Sequence, residues 1–416
     1  MSGDLPLSPL APKGFPSLPA VKGLRLATSA TGIKYKGRDD LLICELVEGT
    51  TVAGTFTKSK TSSAAVDWCK KALSGGEARG LIVNSGNANA FTGKAGDKTV
   101  ETCIESVADQ IACRPSRVFA ASTGVIGEKL PAEKITGHLS DAWSRLADAN
   151  SKTWALAANA IMTTDTFAKG AGQRLQIAGC DVNIAGIAKG SGMIAPDMAT
   201  MLAFIFTDAA IPAPILQELL SQAVDKSFNA ITVDSDTSTS DTVLLMATGT
   251  VEGQPKISSF DTPDLLAFKI ALQEVLISLA QQIVRDGEGA TKFITVTVEG
   301  AENDLAARRI GLAIANSPLV KTAISGEDAN WGRIVMAVGK SGEIVDRDTL
   351  SIGIGGHTVA RNGVAVDGYD EAPIAAHMKN DAIGIFVDIG LGDGQSTVWT
   401  CDLSHAYVSI NANYRS

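Results

Sequence analysis

The feature that most constrains this chain is residues 186–208, Gly-Ile-Ala-Lys-Gly-Ser-Gly-Met-Ile-Ala-Pro-Asp-Met-Ala-Thr-Met-Leu-Ala-Phe-Ile-Phe-Thr-Asp. Residues 182–188 are predicted to form a short apolar strand. A glycine-rich loop, residues 189–196, follows; its Gly190 and Gly192 can take backbone angles that other residues avoid. Thr200 then opens a run, residues 201–206, that is apolar on both faces and so reads as a strand buried on both sides. A small hydroxyl residue at the mouth of such a strand suits a chain that cuts itself. The Thr200 hydroxyl would attack the Ala199 carbonyl and move the acyl group from nitrogen to oxygen before hydrolysis. Thr200 is then left with a free α-amine, able to serve as base for its own hydroxyl. The same residues also fit a plain loop entering a core strand, and the spacing alone does not choose between the two.

With 416 residues the chain can hold two or three core-bearing units. No fixed-period repeat and no linker rich enough to separate autonomous domains is visible. A net charge of −9, with no dense Lys/Arg run interleaved with aromatics, argues against a polyanion-binding surface and against nucleic acid as a partner. The six cysteines are scattered without a C-x-x-C pair, and none of the four histidines has metal-ligand spacing. Reduced, mostly buried thiols and no metal or cofactor are expected. The proline-rich start lacks a basic segment followed by an apolar core, and no apolar run approaches the ~20 residues that span a bilayer. The expectation is a cytoplasmic protein with no membrane association.

Along the chain, residues 1–22 read as an extended arm laid over the surface, and residues 24–57 as three strands. Residues 80–84 form a strand ending in an Asn-rich loop. Gly86 and Gly93-Lys94 lack P-loop spacing and no Ser or Thr follows the lysine, so a phosphate cradle is rejected there. Residues 97–113 carry one apolar helical face. A strand over 118–121 leads into Ser122-Thr-Gly-Val-Ile-Gly, read as a tight turn whose Thr123 and Gly124 either point into a site or simply turn the chain. Residues 131–162 read as largely helical, and 212–228 as a helix. The acidic, hydroxyl-rich residues 234–241 lack the glycine and glutamate of a calcium loop and are read as caps for neighbouring backbone. Thr262 and Pro263 open a helix running to Arg285. Glu288 follows in a glycine-flanked loop, where an acid is either solvated or binds a cation. A helix over 304–315 is predicted, then a polar loop running into a strand over 334–338. Helix and strand signals alternate throughout, which gives a mixed α/β fold in layers and disfavours a doubly wound nucleotide fold.

Several segments together resemble one family. Lys189-Gly-Ser-Gly-Met-Ile-Ala-Pro-Asp-Met-Ala-Thr-Met-Leu is similar to the self-cleavage segment of the ornithine acetyltransferase (glutamate N-acetyltransferase) family of arginine biosynthesis. Asn84-Ser-Gly-Asn-Ala-Asn-Ala, Ser122-Thr-Gly-Val-Ile-Gly, Met162-Thr-Thr-Asp-Thr, Asp286-Gly-Glu-Gly-Ala-Thr-Lys, Asn330-Trp-Gly-Arg and Asn411-Ala-Asn-Tyr-Arg-Ser stand in that family's order. The resemblance covers roughly residues 20–416. It implies the aminopeptidase/ornithine-acetyltransferase-like self-processing fold, with a cut between Ala199 and Thr200. Residues 1–199 would be an α chain and residues 200–416 a β chain, held as α2β2. Thr200 would be the nucleophile, the backbone at Thr123 and Gly124 the oxyanion hole, and Thr163, Lys189, Thr200, Glu288, Asn411 and Ser416 the substrate contacts. The implied reaction passes acetyl from N2-acetylornithine to glutamate through an acetyl-enzyme, with acetyl-CoA allowed as a further acetyl donor. Phe91, Ser235, Ser240 and Ala329 depart from the family pattern, and none falls on an implied catalytic or substrate position.

Two other readings carry different expectations. An aminopeptidase or amidohydrolase with a self-generated N-terminal nucleophile would pass its acyl group to water; those relatives use serine at the cut. A catalytically silent binding protein would remain one intact chain.

Overall fold

A strand apolar on both faces must be covered from two sides. The computed structural model, which describes residues 6–195 and 201–412, supplies both covers. In chain order the described residues form β1 (Leu24–Ser29), β2 (Leu41–Leu46), β3 (Thr51–Phe56), α1 (Ala64–Ala72), β4 (Gly80–Asn87), α2 (Gly93–Gln110), β5 (Val118–Val125), α3 (Ala132–Ser144), β6 (Ala147–Asp148), α4 (Ser151–Ala160), β7 (Lys169–Ile177) and β8 (Cys180–Lys189). Next come β9 (Leu202–Thr207), α5 (Ala213–Asp225), β10 (Thr242–Ala247), α6 (Leu266–Arg285), β11 (Phe293–Ala301), α7 (Asp304–Ala315), α8 (Pro318–Ser325) and α9 (Trp331–Gly339). The rest is β12 (Ser351–Ile354), β13 (His357–Arg361), β14 (Val364–Ala365), α10 (Glu371–Met378), β15 (Ala382–Asp388), β16 (Gly394–Cys401) and α11 (His405–Ala412).

Strand β9 lies at the middle of a sheet ordered β3-β10-β9-β8-β7, and all its residues are buried. Side chains alternate across a strand, so Leu202, Phe204 and Phe206 point to one face. There they pack with Ile187 and Met246, with Leu26, Leu42 and Phe119 of a second sheet, and with Trp154 of α4. Ala203 and Ile205 point the other way, onto Leu216 and Leu220 of α5 and Leu272, Leu276 and Leu279 of α6. The second sheet, β5-β4-β2-β1-β6, turns its outer face to Val100, Ile104 and Val107 of α2 and to Ile135 and Leu139 of α3. A third sheet, β14-β13-β12-β15-β11-β16, extends the core beyond α6. Each sheet mixes antiparallel pairs with a parallel one: β4/β5, β9/β10 and β11/β15. The mixed α/β layers are those expected, and the all-parallel doubly wound pattern is absent from the described residues.

Elements from both sides of position 199 build the central sheet. β8 pairs with β9 over Lys189↔Leu202 to Ile184↔Thr207, and β3 pairs with β10 over Phe56↔Thr242 to Thr51↔Ala247.

Other expectations are corrected. Residues 318–325 and 331–339 are helices, where a polar loop and a strand were predicted. The run Ile334-Val-Met-Ala-Val is apolar throughout, so periodicity does not separate strand from helix. In the fold Ile334, Ala337 and Val338 are buried at helical spacing, while Val335 and Met336 are exposed. Ser317 caps α8 through the Val320 amide, with Pro318 in the first turn. The Ser122–Gly127 region is not a turn: β5 continues to Val125. Helix α2 starts at Gly93, before Asp97, and Thr262 opens a single 3-10 turn, Pro263–Leu265, ahead of α6. Over residues 6–22 the proline-rich arm does run over the surface without helix or strand, about half of its residues exposed, and it is anchored there by buried side chains. Leu10, Leu18 and Val21 are buried, and the Trp154 indole donates to Pro19 O at 3.1 Å. Among the described residues no helix is long and apolar enough to cross a membrane. Four of the six free thiols are buried and Cys113 and Cys180 are half-buried, as the sequence suggested.

Candidate active site

The end of β8, the parallel pair β4/β5 and the loop after α6 converge on a cavity of about 210 Å³. Its lining includes Thr123, Gly124, Thr163, Lys189, Glu288 and Asn411. These are six of the residues the sequence placed in a site, drawn from five separate segments. Ala199, Thr200 and Ser416 lie outside the described residues.

Thr123 and Gly124 sit where β5 runs beside β4 with a register shift at Gly86/Asn87. Gly124 has φ +133, and a Cβ there would come within 2.5 Å of the Asn87 nitrogen and closer still to the Gly86 carbonyl carbon. Only glycine tolerates both the angle and the approach. Lys189, the last residue of β8, is buried and donates to Thr163 Oγ1 at 2.9 Å and Thr123 Oγ1 at 3.2 Å. Burial pushes its ammonium below its ordinary value; Asp165 opposes this and Lys169 adds to it. Glu288 accepts from Asn411 Nδ2 at 2.8 Å, and its backbone nitrogen donates to Ser191 O at 2.9 Å. Burial pushes its carboxyl up, partly countered by hydrogen bonds from Thr164 and Asn411. Gly192 leaves room for that carboxyl: a Cβ there would meet Glu288 Cδ at 2.5 Å.

The acidic segment does cap backbone, as expected, and it does so at both ends of the central loop. Asp234 accepts from the amides of Met193 and Ile194 at 2.6 and 2.8 Å. Asp241 Oδ1 accepts from the Met201 amide at 2.9 Å, and burial pushes this carboxyl well above the usual carboxylate range. Two of the departures from the family pattern acquire a location. Ser235 stands at φ +65, the left-handed region that favours glycine. Ser240, which matches no implied substrate position, lines the cavity.

Sequence reasoning gave no role to three charged residues behind the cavity. Lys169 Nζ, fully buried, lies 2.6 Å from Asp165 Oδ1 and 2.5 Å from Asp286 Oδ2. Asp165 Oδ1 also accepts from the Gly190 amide at 2.6 Å, and its Oδ2 from the Thr163 amide at 3.0 Å. Asp286 accepts from the amide and hydroxyl of Thr166 at 2.9 and 2.5 Å. Burial works to raise Asp165, but the Lys169 and Lys189 ammonium groups overcome it and hold its carboxyl below the usual range. Asp286, which faces only one of those lysines, is left raised by burial. Both aspartates fall within segments the sequence had singled out, Met162-Thr-Thr-Asp-Thr and Asp286-Gly-Glu-Gly, so the signal was present without a partner to interpret it. No cluster of three or more His, Cys, Asp or Glu side chains able to hold a metal occurs among the described residues.

A small cavity lined by one ammonium and one carboxylate suits a ligand that itself carries an amine and a carboxylate, and the layered α/β frame places it at the mouth of the central strand. That defines an α/β protein with an amino-acid-sized site. A profile of the ArgJ family matches residues 25–416, and the chain belongs to that family. This bears out the resemblance drawn from the motifs. The chain is 54% identical over 416 residues to the arginine biosynthesis bifunctional protein ArgJ of Gluconobacter oxydans, covering 100% of this chain and 97% of the relative. Among solved structures, the ArgJ protein of Bacillus halodurans is 44% identical, with a TM-score of 0.48 over 50% of this chain and 96% of that one. Ornithine acetyltransferase of Mycobacterium tuberculosis, solved with ornithine, is 32% identical, with a TM-score of 0.37 over 42% of this chain and 93% of that one.

Proposed function

We propose that this cavity moves the acetyl group of N2-acetylornithine to glutamate through an acetyl ester on Thr200, after the chain has cut itself between Ala199 and Thr200. Membership of the ArgJ family makes the chain an arginine-biosynthesis enzyme that passes acetyl between ornithine and glutamate. The observation that carries the residue assignment is the sharing of one cavity by Lys189, Glu288 and the Thr123–Gly124 strand end. Lys189 takes the substrate carboxylate and Glu288 an amino group, with Asn411 bound to the acid it serves. Thr163 supports the lysine through its hydroxyl.

The Thr200 oxygen attacks the acetyl carbonyl, and its proton passes by way of its own α-amine to the departing ornithine nitrogen as the C–N bond breaks. Backbone at Thr123 and Gly124 stabilises the oxyanion. The glutamate amine then attacks the ester, its proton returning to the threonine oxygen. Acetyl-CoA can charge the same ester in place of N2-acetylornithine. Ser416 is a further substrate contact, and the assembly is an α2β2 tetramer acting in the cytoplasm.

The deciding experiment is intact mass under denaturing conditions after incubation with N2-acetylornithine and no acceptor. Two fragments meeting at Ala199/Thr200, the second carrying one acetyl group, are expected. Two unacetylated fragments would favour a hydrolase, and one intact chain would overturn the self-cleavage assignment.

Two further outcomes follow. Because β8/β9 and β3/β10 are pairs made across the cut, the fragments should co-elute in size exclusion without denaturant and separate only through the cooperative unfolding transition in guanidinium. Fragments that part under native conditions would contradict that. Lys189→Met should raise KM for N2-acetylornithine and glutamate by about tenfold or more, the value of a hydrogen bond to a charged group, while cleavage proceeds. Unchanged KM for both would remove the lysine from substrate binding.

A further inference from the structure

Asp165 lines no part of the cavity, yet it touches two of the segments that do. Its Oδ2 holds the amide of Thr163 and its Oδ1 the amide of Gly190, the residue after Lys189. Thr163 in turn accepts from Lys189 Nζ. The carboxylate is therefore bonded to the backbone on both sides of the contact between that lysine and that hydroxyl. Lys169 pins Asp165 from behind and is itself held by Asp286. We infer that Asp165 is the positioning residue of the substrate-carboxylate lysine, setting where Lys189 points. This rests on the assignment of Lys189 to substrate above.

The groups facing Lys189 are Asp165 from the loop before β7, Lys169 from β7, Glu288 from the loop after α6 and Asp241 from the segment before β10. Burial lowers the lysine first, and Asp165 is the largest charge resisting that. Removing a negative charge disfavours an ammonium, so the lysine must lose its proton at lower pH when Asp165 is neutral.

The test is Asp165→Asn in the full-length protein, assayed for acetyl transfer from N2-acetylornithine to glutamate across pH, beside Asp286→Asn and Lys189→Met. Asparagine has one acceptor oxygen, so it cannot keep both the Thr163 and Gly190 amides; Lys169 keeps Asp286. KM for the substrates should rise about tenfold, and the alkaline limb of kcat/KM should move to lower pH. Asp286→Asn leaves both Asp165 amide contacts in place and should move the limb far less. If Asp165→Asn does not accumulate as folded protein, the charge-balanced D165N/K169M replaces it. That variant should keep the tenfold KM effect but lose most of the pH shift, because the ammonium that opposed Lys189 leaves with the carboxylate that favoured it. Unchanged KM and pH profile in the folded variant, with KM raised in Lys189→Met, would overturn the role of Asp165 while leaving that of Lys189 intact. An equal shift in Asp286→Asn would also overturn it, since any lost buried charge would then suffice. Unchanged KM in Lys189→Met would instead remove the assignment on which the inference rests.

Discussion

Thr200→Ala is expected to leave the protein as one chain of 43.1 kDa and to lower acetyl transfer by about 10³-fold or more. In the proposed mechanism one hydroxyl serves both reactions, so both are expected to fail together. In the first it attacks the Ala199 carbonyl; in the second it carries the acetyl group. The substitution should not unfold the molecule, because the frame of the central loop is tied down by other residues. Asp234 holds the Met193 and Ile194 amides on one side, and Asp241 holds the Met201 amide on the other. Strand β9, buried at every position, then carries the chain into the core from Leu202. Intact mass and a transfer assay on the same preparation are the measurements required. An uncut variant that still transfers acetyl at the wild-type rate would sink the nucleophile assignment, whereas a cut variant would place the scissile bond elsewhere.

How far this site can be read from the chain alone depends on the kind of information each residue carries. β9 was legible because an unbroken apolar run of strand length, following a glycine-rich loop, has few other uses, and β8 because a short, mostly apolar run leads into that same loop. Helix α7 was legible from its spacing, and α9 was not, since Ile334 to Val338 is apolar at every position and satisfies either period. Lys189, Thr163, Glu288 and Asn411 were legible only by resemblance. Nothing local in the sequence brings Asn411 to Glu288, 123 residues away, or Thr163 to Lys189, 26 away. The Lys169 pairing was out of reach for a further reason. An aspartate four residues before a lysine looks like any surface pair, and its buried character arises only when Asp286 arrives from the end of α6. That Ser240 lines the cavity was out of reach for the same cause: its neighbours in sequence are polar, and most of the wall it joins belongs to other segments.

Gly124→Ala should cost the protein both stability and turnover. The methyl group would be thrust into the backbone of the neighbouring strand, 2.5 Å from the Asn87 nitrogen and closer to the Gly86 carbonyl. Backbone cannot change rotamer to give way, and φ +133 is itself strained for a residue with a side chain. The relief available is to part β4 from β5 at the register shift, where Gly86 already carries φ +97. That movement should lower stability by about 3–5 kcal/mol, the range of the severest single substitutions, and it displaces the backbone assigned to the oxyanion. An oxyanion donor acts mainly as charge develops in the transition state, so its loss falls on kcat, by about 100-fold or more. Lys189→Met is expected to act mainly on KM instead. Urea titration and steady-state kinetics on the folded fraction check this, since the two effects are read separately. A variant with lowered stability but wild-type kcat would mean that Gly124 serves the packing of β4 against β5 and that the oxyanion is held elsewhere.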